Sequence, residues 1–423
     1  MKLLRLLYHL GIHGLGAGMQ IASWFHPKAK LWVEGRRQGL SYLESRRKAG
    51  DSWWWFHCAS LGEFEQGRNL IEKIKAEHPQ LKILLTFYSP SGYEIRKNYP
   101  QADAVMYLPL DTSRQVKAFL EMLQPAGVVF VKYELWLNML QALRERGCPH
   151  WLISARVGAD SAFLKSPLAA LYREAFEGFQ QIFVQDLESQ RLLSAFAPQA
   201  EVQLSADTRF DRVAANRKQF QALPEIVAFV EQKTCLVGGS TWPKGERLIF
   251  EAWNRLALAE RDDVCLILAP HEIHQDRIQQ WIDRFPELSI RYSDIHRLSP
   301  AHRILWIDNI GMLSRLYAYA DLSYVGGGWG TGLHNILEPA AFGSPVIIGP
   351  KHQRFPEAAD LIQAGGCFAV KDGESLTRRV KSLLENPDLR QKIRENNLAF
   401  VQERTGATAK IYDWLRNEGL FSA

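Results

Sequence analysis

The sequence lacks the cysteine patterns of a metal-binding or disulfide-stabilised protein. Its five cysteines are scattered along 423 residues, with no Cys-x-x-Cys pair and no zinc-ligand spacing. Isolated cysteines of this kind are typical of small buried apolar residues in a reducing compartment. The sequence therefore predicts no structural metal site.

Two common nucleotide-binding fingerprints are also absent. The densest glycine cluster, Gly326 to Gly332, has neither the G-x-G-x-x-G spacing nor a Walker A lysine. It follows a strand-like run and precedes a helical pattern, so its backbone N–H groups could bind a nucleotide phosphate at a helix amino terminus. Glu338 could then accept hydrogen bonds from ribose hydroxyls. The alternative is a simple glycine turn with Asn335 as the helix cap.

Acidic residues are scarce at the amino end. Residues 1–50 hold nine Lys and Arg against two Glu and carry a charge of +7, whereas the whole chain carries +5. A nearly balanced body with a basic end indicates contact with an anionic surface. Because no basic stripe runs along a face, nucleic acid is not an expected partner.

The amino end also contains a stretch without Asp, Glu, Lys or Arg, from Leu6 to Pro27. Its length would allow a single membrane span, but its glycines and histidines make it only marginally apolar. Trp24, Phe25 and Trp32 beside lysines are typical of a membrane interface. We predict that residues 1–30 form a membrane-associated segment on the cytoplasmic face. A single span is the second choice, and an ordinary amphipathic core helix is the alternative.

The remaining chain alternates between strand-like and helical patterns. Apolar runs without period-two alternation indicate strands buried on both faces, and repeated β–α units predict doubly wound parallel sheets. The expected fold is α/β, with two Rossmann-like domains facing each other as in GT-B glycosyltransferases. The domains are 31–207 and 233–423, joined by a linker at 208–232, and the C-terminal helix could pack on either. The predicted strands are 53–58, 82–87, 104–108, 127–131, 151–154, 181–184, 234–238, 264–269, 303–307, 321–325, 345–348 and 367–370.

The loop after the first predicted strand contains a carboxylate at a position where catalytic groups are often found. The apolar run 53–58 ends in small residues, and Glu63 stands where a helical pattern over 64–78 begins. Loops at the carboxyl ends of parallel strands collect ligands and catalytic groups. Glu63 is therefore a candidate catalytic residue. The competing interpretation is that Glu63 only complements the helix dipole, with Ser60 as the cap.

Several motifs in series resemble those of a known family. They are the Glu63 loop, Glu134-Leu135-Trp136, Asp207-Thr208-Arg209-Phe210-Asp211, and Gly332-Leu333-His334-Asn335-Ile336-Leu337-Glu338. In this order they resemble the 3-deoxy-D-manno-octulosonic acid (Kdo) transferases of lipopolysaccharide assembly. The resemblance extends over nearly the whole chain, from the basic amino end to the glycine-rich loop.

The resemblance implies an inverting, metal-independent glycosyltransferase without a cofactor. Its donor would be CMP-Kdo and its acceptor the lipid A precursor (lipid IVA) at the cytoplasmic face of the inner membrane. Glu63 falls on the catalytic base of the family, and Glu134 and Arg209 fall on residues that stabilise the transition state. The family's CMP contacts fall on Pro270, His271, Ile310, Gly311, Met312, Asn335, Ile336, Leu337 and Glu338.

The sequence departs from the family pattern at a few positions. Arg209 stands where many relatives have Lys, and Pro270-His271-Glu272-Ile273 replaces Pro-Arg-His-Pro. His271 or Lys351 would then have to replace a missing cationic contact to CMP. Lys132, two residues before Glu134, is a candidate to neutralise that carboxylate. Two other functions stay open: a nucleotide-sugar epimerase or hydrolase of the same fold, and a non-catalytic nucleotide-binding peripheral membrane protein.

Overall fold

A computed structural model describes residues 1–48, 50–330 and 332–421. The chain divides into two compact units. Unit 1 comprises Met1–Asp211 and Thr405–Ala423, and unit 2 comprises Arg212–Arg404.

Unit 1 is built on a parallel sheet of seven strands in the order β3-β2-β1-β4-β5-β6-β7. The central strands are fully buried, and in the core the rings of Trp54 and Trp151 stack with centroids 5.5 Å apart. The strand order reverses between β1 and β4, which is where an open α/β sheet forms its binding crevice. The strands are β1 Trp53–Cys58, β2 Lys82–Phe87, β3 Ala104–Tyr107, β4 Gly127–Val131, β5 His150–Ala155, β6 Gln181–Val184 and β7 Val202–Leu204.

The helices of unit 1 cover both faces of this sheet. In the helix after β1, Leu70, Ile71 and Ile74 form the predicted apolar face and are completely buried. The helices are α1 Lys2–Ala22, α2 Pro27–Arg37, α3 Gly39–Arg46, α4 Leu61–Glu77, α5 Pro90–Arg96, α6 Ser113–Leu123, α7 Leu137–Glu145, α8 Ala169–Phe176, α9 Leu187–Phe196, α10 Thr208–Lys218, which continues into unit 2, and α19 Ala407–Asn417. A short 3₁₀ helix spans Ala162–Leu164.

Unit 2 repeats the architecture with seven parallel strands in the order β10-β11-β9-β8-β12-β13-β14. Its order reverses between β8 and β12, and the glycine-rich loop follows β12. The strands are β8 Thr234–Thr241, β9 Val264–Pro270, β10 Ser289–Arg291, β11 Ile304–Trp306, β12 Leu322–Val325, β13 Val346–Ile348 and β14 Cys367–Ala369.

The helices of unit 2 lie between these strands and after the last one. They are α11 Pro224–Val230, α12 Pro243–Arg255, α13 Gln275–Ile282, α14 Leu313–Leu316, α15 Leu337–Ala341, α16 Pro356–Gln363, α17 Gly373–Glu385 and α18 Pro387–Gln402. Three 3₁₀ helices span Leu258–Glu260, Tyr292–Arg297 and Tyr317–Tyr319.

The two parallel-sheet α/β units confirm the predicted fold class, and every predicted strand is present. Two three-residue edge strands, β7 and β10, were missed because they are short and only partly apolar. The segment expected as a linker is largely helical, and the boundary between the units lies within it, after Asp211. Residues 405–423 belong to unit 1, so α19 follows the alternative in which the C-terminal helix packs back on the first domain.

The first helix lies on the surface of unit 1. Ile12 is buried, and Leu4 and Tyr8 are partly buried against the core of unit 1. Arg5 pairs with Glu174 at 3.0 Å, and the Tyr8 hydroxyl donates to Asp111 at 2.6 Å. On the opposite side Leu3, Leu6 and Leu10 are more than half exposed. Among the described residues, no helix is both long enough and apolar enough to cross a membrane.

Candidate functional site

Glu63 lies at the point where the strand order of the first sheet reverses. It follows β1 and occupies the first turn of α4, with 15% of its side chain exposed. Ser60 is the N-cap residue, but its side chain accepts no hydrogen bond from the helix backbone, and its hydroxyl donates to the Glu63 carboxylate. The carboxylate lies near the positive end of the helix dipole, at the carboxyl-terminal edge of the sheet, where ligands bind in open α/β folds.

Lys132 approaches Glu63 from the neighbouring strand. Its Nζ lies 3.7 Å from Glu63 Oε1, directly after β4. The expectation that Lys132 neutralises Glu134 is wrong, because Lys132 pairs with Glu63 and Glu134 has other partners. Lys132 also has a φ of +73°, a left-handed conformation that is uncommon for a residue with a side chain.

Glu134 contacts two ring nitrogens. Its Oε2 lies 3.0 Å from His57 Nε2 and accepts a 2.8 Å hydrogen bond from Trp136 Nε1. His57 is completely buried in β1, and its Nδ1 lies 2.9 Å from the Thr86 hydroxyl on β2. We call these four residues, His57, Thr86, Glu134 and Trp136, the His57–Glu134 network. In the sequence, His57 is only one residue of the apolar run 53–58. Because it lies one residue before the end of β1, it is close to the edge of the sheet where ligands bind.

Arg209 forms an ion pair with Asp207. The Asp207 carboxylate accepts bonds of 2.9 Å from both the backbone N–H and the Nε of Arg209. Thr208 donates to the backbone carbonyl of Gln66 in α4 at 2.6 Å, so the start of α10 is attached to the helix that carries Glu63. Asp207 is buried, which fixes the Arg209 guanidinium in one direction.

The predicted catalytic residues of unit 1 influence the pKa values of two other groups. Burial raises the pKa of Tyr133, with Glu63 adding to the rise and Arg209 opposing it. The pKa of the Cys58 thiol is raised first by complete burial and then by the nearby carboxylates of Glu63 and Glu134. Glu63 contributes to both shifts, Glu134 to that of Cys58 and Arg209 to that of Tyr133.

The glycine-rich loop of unit 2 forms a tightly packed backbone bend. Gly326 N donates to Gly239 O at 2.9 Å, which joins the loop to β8. A Cβ on Gly326 would lie 1.9 Å from Ser240 O, and one on Gly327, where φ is +90°, would lie 1.9 Å from Gly332 O. A side chain at either position would collide with this backbone, so the packing of the loop itself requires both glycines.

Three aromatic rings gather beside this loop. Trp242 and His271 stack with centroids 4.8 Å apart, and His271 and His334 lie 4.3 Å apart. The Trp242 indole donates to His334 Nε2 at 3.1 Å, which assigns the proton of neutral His334 to Nδ1. Burial lowers the pKa of His334 to about 4, and His271 adds to that effect. Sequence reasoning predicted His271 but missed Trp242 and His334 as site residues.

The other residues predicted to contact CMP lie near the same edge of the second sheet. Pro270 is the last residue of β9, and His271 N donates to Thr241 O at 2.9 Å. Lys351 is bound through its backbone N–H to Gly328 O at 2.8 Å, so both candidate replacements for the missing cation lie beside the glycine-rich loop. Ile310 is 92% exposed, and Gly311 and Met312 lead into α14.

Asn335 and Glu338 face each other across the start of α15. Asn335 Oδ1 accepts from Leu337 N at 3.0 Å, and its amide donates to Glu338 Oε1 at 3.2 Å. The N-cap residue of α15 is Ile336 and it has no side-chain cap bond, so the expectation of Asn335 as the helix cap is wrong, and Asn335 stabilises the turn before the helix. Ile336 and Leu337 are buried and form the apolar floor of this turn. Because α15 has only five residues, a phosphate would be held mainly by loop N–H groups and only slightly by a helix dipole.

Metal ligands do not gather in this site. Within residues 1–48, 50–330 and 332–421, no group of three or more His, Cys, Asp or Glu side chains could hold a metal ion.

Comparisons with known protein families match both units. Residues 34–212 match the family model for 3-deoxy-D-manno-octulosonic-acid transferase (kdotransferase), and residues 231–399 match the model for glycosyl transferases group 1. The two matches correspond closely to the two sheets.

Curated relatives align along most of the chain. The 3-deoxy-D-manno-octulosonic acid transferase of Haemophilus influenzae is 26% identical over 85% of this chain and 86% of its own length. The enzymes of the same name from Rickettsia prowazekii and Chlamydophila psittaci are 28% and 24% identical, over 87% and 85% of this chain and 80% and 83% of their own lengths.

Solved structures share the fold. UDP-GlcNAc 2-epimerase from Neisseria meningitidis, bound to UDP-GlcNAc, has a TM-score of 0.60 at 16% identity, over 87% of this chain and 100% of its own. A putative UDP-N-acetylglucosamine 2-epimerase from Listeria monocytogenes has a TM-score of 0.59 at 14% identity, over 87% of this chain and 97% of its own. At these identities the likeness shows a common two-domain fold.

Proposed function

We propose that this chain, as a member of the Kdo transferase family of glycosyltransferases, transfers Kdo from CMP-Kdo to a lipid A precursor. The transfer proceeds with inversion at the anomeric carbon. The observation that carries the proposal is the position of Glu63. It lies at the reversal point of the first sheet, with Lys132 and Ser60 holding its carboxylate.

Glu63 is the general base of the proposed reaction. Its carboxylate takes the proton from an acceptor hydroxyl while that oxygen attacks the anomeric carbon of Kdo. The bond from the anomeric carbon to the CMP phosphate oxygen breaks, and its electron pair leaves with CMP. Glu63 suits this role because it is partly exposed and its carboxylate lies beside the Lys132 ammonium group, in the first turn of α4.

Glu134 and Arg209 stabilise the charges that develop in the transition state. Arg209 is a permanent cation, and its pairing with buried Asp207 fixes the direction of its guanidinium toward the reacting anion. Glu134 is a carboxylate of fixed orientation and stabilises positive charge that develops on the sugar ring. Neither role requires a metal ion or a resident cofactor.

Unit 2 binds the CMP part of the donor. The glycine-rich loop supplies backbone N–H groups for the phosphate, and Glu338 accepts hydrogen bonds from the ribose. The Pro-Arg-His-Pro pattern of the family has an arginine that would make a cationic contact to CMP. In this chain His271 supplies a polar contact and Lys351 supplies a cationic contact in its place. The pyrimidine is bounded by Ile310, Gly311 and Met312, where Ile310 offers an exposed apolar surface.

The acceptor reaches the enzyme at a membrane surface. The exposed leucines of α1 continue into Trp24 and Phe25, which are 71% and 81% exposed. Together with the basic excess of residues 1–50, this face fits an anionic lipid surface. We place the enzyme at the cytoplasmic face of the inner membrane, attached through α1 as an interfacial helix.

The proposal is tested with a Glu63→Gln variant and a Glu65→Gln control. Glu65 lies on the same helix, but it pairs with Arg68 and Arg96. We expect Glu63→Gln to lose at least 10³-fold in kcat with CMP-Kdo and lipid IVA, while Glu65→Gln keeps activity near that of the parent. Mass spectrometry of the lipid product reports the donor, the acceptor and the number of Kdo units added. Free Kdo without a glycolipid would indicate a hydrolase, and near-parental transfer by folded Glu63→Gln would remove Glu63 as the base.

A further inference from the structure

We infer that His57 is a positioning residue for Glu134, and that Thr86 sets the ring tautomer in which His57 can do this; the inference rests on the proposed function. His57 has no assigned role, yet it is a fully buried polar side chain aimed at the ligand edge of the first sheet. The contacts of each ring nitrogen determine what it can do.

Thr86 contacts His57 Nδ1 through its hydroxyl group. Thr86 Oγ1 accepts a 2.7 Å hydrogen bond from Trp55 Nε1. Its own proton can go to His57 Nδ1, at 2.9 Å, or to Phe56 O, at 3.4 Å. The 2.9 Å separation of Nδ1 and Oγ1 is the same whichever atom donates, so the direction of this bond depends on the other ring nitrogen. With the proton of the neutral imidazole on Nε2, Nδ1 is an acceptor and Thr86 donates to it and not to Phe56 O.

The contacts of Nε2 favour a proton on this nitrogen. Nε2 lies 3.0 Å from Glu134 Oε2, and a carboxylate oxygen is an acceptor only. An unprotonated Nε2 would place its lone pair against that oxygen, whereas a protonated one donates to it. The Trp136 indole N–H is within hydrogen-bond range of two acceptors, His57 Nε2 at 3.2 Å and the same Oε2 at 2.8 Å, and it donates to Oε2 alone when Nε2 carries a proton. Two N–H donors therefore converge on one carboxylate oxygen.

This arrangement fixes the direction of the Glu134 carboxylate. A glutamate side chain has three rotatable bonds, and two donors on Oε2 restrict its last two. His57 is in β1 and Thr86 is in β2, so the fixed point is part of the sheet and not of a mobile loop. A charged group that is misplaced by about 1 Å can lower a rate about 10²-fold, so a rigid support for Glu134 has a direct effect on kcat.

Two amide substitutions at position 57 separate positioning from packing. The Nε2 of Gln reaches the place of His57 Nε2 and can still donate to Glu134, whereas the shorter Asn cannot. We expect His57→Asn to lower kcat about 10²-fold with the KM for CMP-Kdo within about threefold, and His57→Gln to lose less than about tenfold. Equal losses for both amides would overturn the inference, because a packing role does not distinguish the position of the N–H group.

A double-mutant cycle tests whether His57 acts through Glu134. In a Glu134→Gln background, we expect His57→Asn to lower kcat by less than about threefold further. If the full loss persists there, His57 does not act through Glu134. Circular dichroism and thermal melting of each variant show whether it is folded.

A nuclear magnetic resonance measurement is independent of turnover and of the proposed function. With ¹⁵N-labelled histidine, the signals of His57 are identified by their absence in His57→Gln. We expect Nε2 to carry the proton in the parent and in Thr86→Ser, and both tautomers to be present in Thr86→Val. A parent Nδ1–H tautomer overturns the inference even if Kdo transfer is observed. If the parent transfers no Kdo but has the Nε2–H tautomer, the proposed function fails while the hydrogen-bond assignment stands.

Discussion

Lys132 and Glu63 form an ion pair across the reversal point of the first sheet, with Lys132 Nζ 3.7 Å from Glu63 Oε1. The lysine makes this contact from a left-handed backbone conformation, with φ at +73°. Its backbone N–H donates to Ile153 O at 2.9 Å, so the unusual conformation is held by the next strand. Backbone strain of this kind often accompanies a functional position.

This strain leads to a prediction about two substitutions that remove the same charge. Lys132→Gly and Lys132→Ala both lose the ion pair, but only glycine adopts a positive φ without steric cost. We expect Lys132→Gly to be more stable than Lys132→Ala by about 1 kcal/mol, although alanine is normally the more stabilising residue. Urea unfolding of the two variants measures the difference. If Ala is equal to Gly or better, position 132 does not hold a strained backbone.

A second prediction concerns the glycine-rich loop. A methyl group on Gly327 would collide with Gly332 O, whereas one on Gly330 would meet no atom within 4 Å. Under the proposed function, we expect Gly327→Ala to weaken CMP binding at least tenfold and Gly330→Ala to leave it within about twofold. Isothermal titration with CMP gives both affinities. Unchanged affinity in Gly327→Ala would mean that this backbone does not bind the phosphate.

Features that depend on residues close together in the sequence could be predicted, whereas contacts between distant side chains could not. The strands were predictable because buried parallel strands are continuous apolar runs, as in Gly127–Val131. Glu63 and Glu134 each follow a predicted strand, but Glu134 and Arg209 were assigned as site residues only through the family resemblance, and β7, which precedes Arg209, was not predicted. The partner of Lys132 could not be predicted, because it depends on the direction of a long side chain at positive φ. The sequence placed Lys132 two residues from Glu134, but the fold turns it toward Glu63.

The site of unit 2 shows the same limit. Pro270 and His271 follow a recognisable strand, so their edge could be predicted. The association of Trp242, His271 and His334 could not, since these residues are up to 92 positions apart and no periodic pattern links them. Polar side chains that complete a network across strands, such as His57 and Thr86, resemble ordinary strand residues in the sequence.

A third prediction uses the buried carboxyl group that attaches α1. Burial raises the pKa of Asp111 from 3.8 to about 7, although hydrogen bonds from Tyr8, Asn138 and Met139 oppose the rise. Because the folded pKa is above the unfolded one, the folded state binds the proton more tightly. The resulting stabilisation is complete below about pH 4 and is lost as the pH rises through about 7.

We therefore expect the parent to lose stability relative to Asp111→Asn between pH 4 and pH 8, by on the order of 4 kcal/mol. The measurement is the melting temperature of both proteins across this range. Asp160→Asn, at an exposed position of the same unit, is the control and should follow the parent at every pH. A constant difference between the parent and Asp111→Asn would show that Asp111 keeps an ordinary pKa.

The fourth prediction concerns the exposed face of α1. Leu3, Leu6 and Leu10 are 68%, 54% and 61% exposed, and they recur at helical spacing on the side away from Tyr8 and Ile12. A leucine that enters the membrane interface contributes on the order of 1 kcal/mol when half its surface is transferred from water. Replacing all three with serine should therefore reduce binding to anionic phospholipid vesicles about 10²-fold or more.

Flotation with vesicles that contain phosphatidylglycerol measures this binding. The matched control replaces Ile95 and Leu187, which are 57% and 68% exposed on other helices of unit 1, with serine. Because the docked side of α1 is unchanged, the Leu3, Leu6 and Leu10 variant should keep its melting temperature. It should also keep turnover of acceptor dispersed in detergent, since the vesicle surface is then no longer needed. Equal flotation of both variants would place the membrane contact elsewhere, and loss of detergent activity with the fold intact would make this face part of the acceptor site.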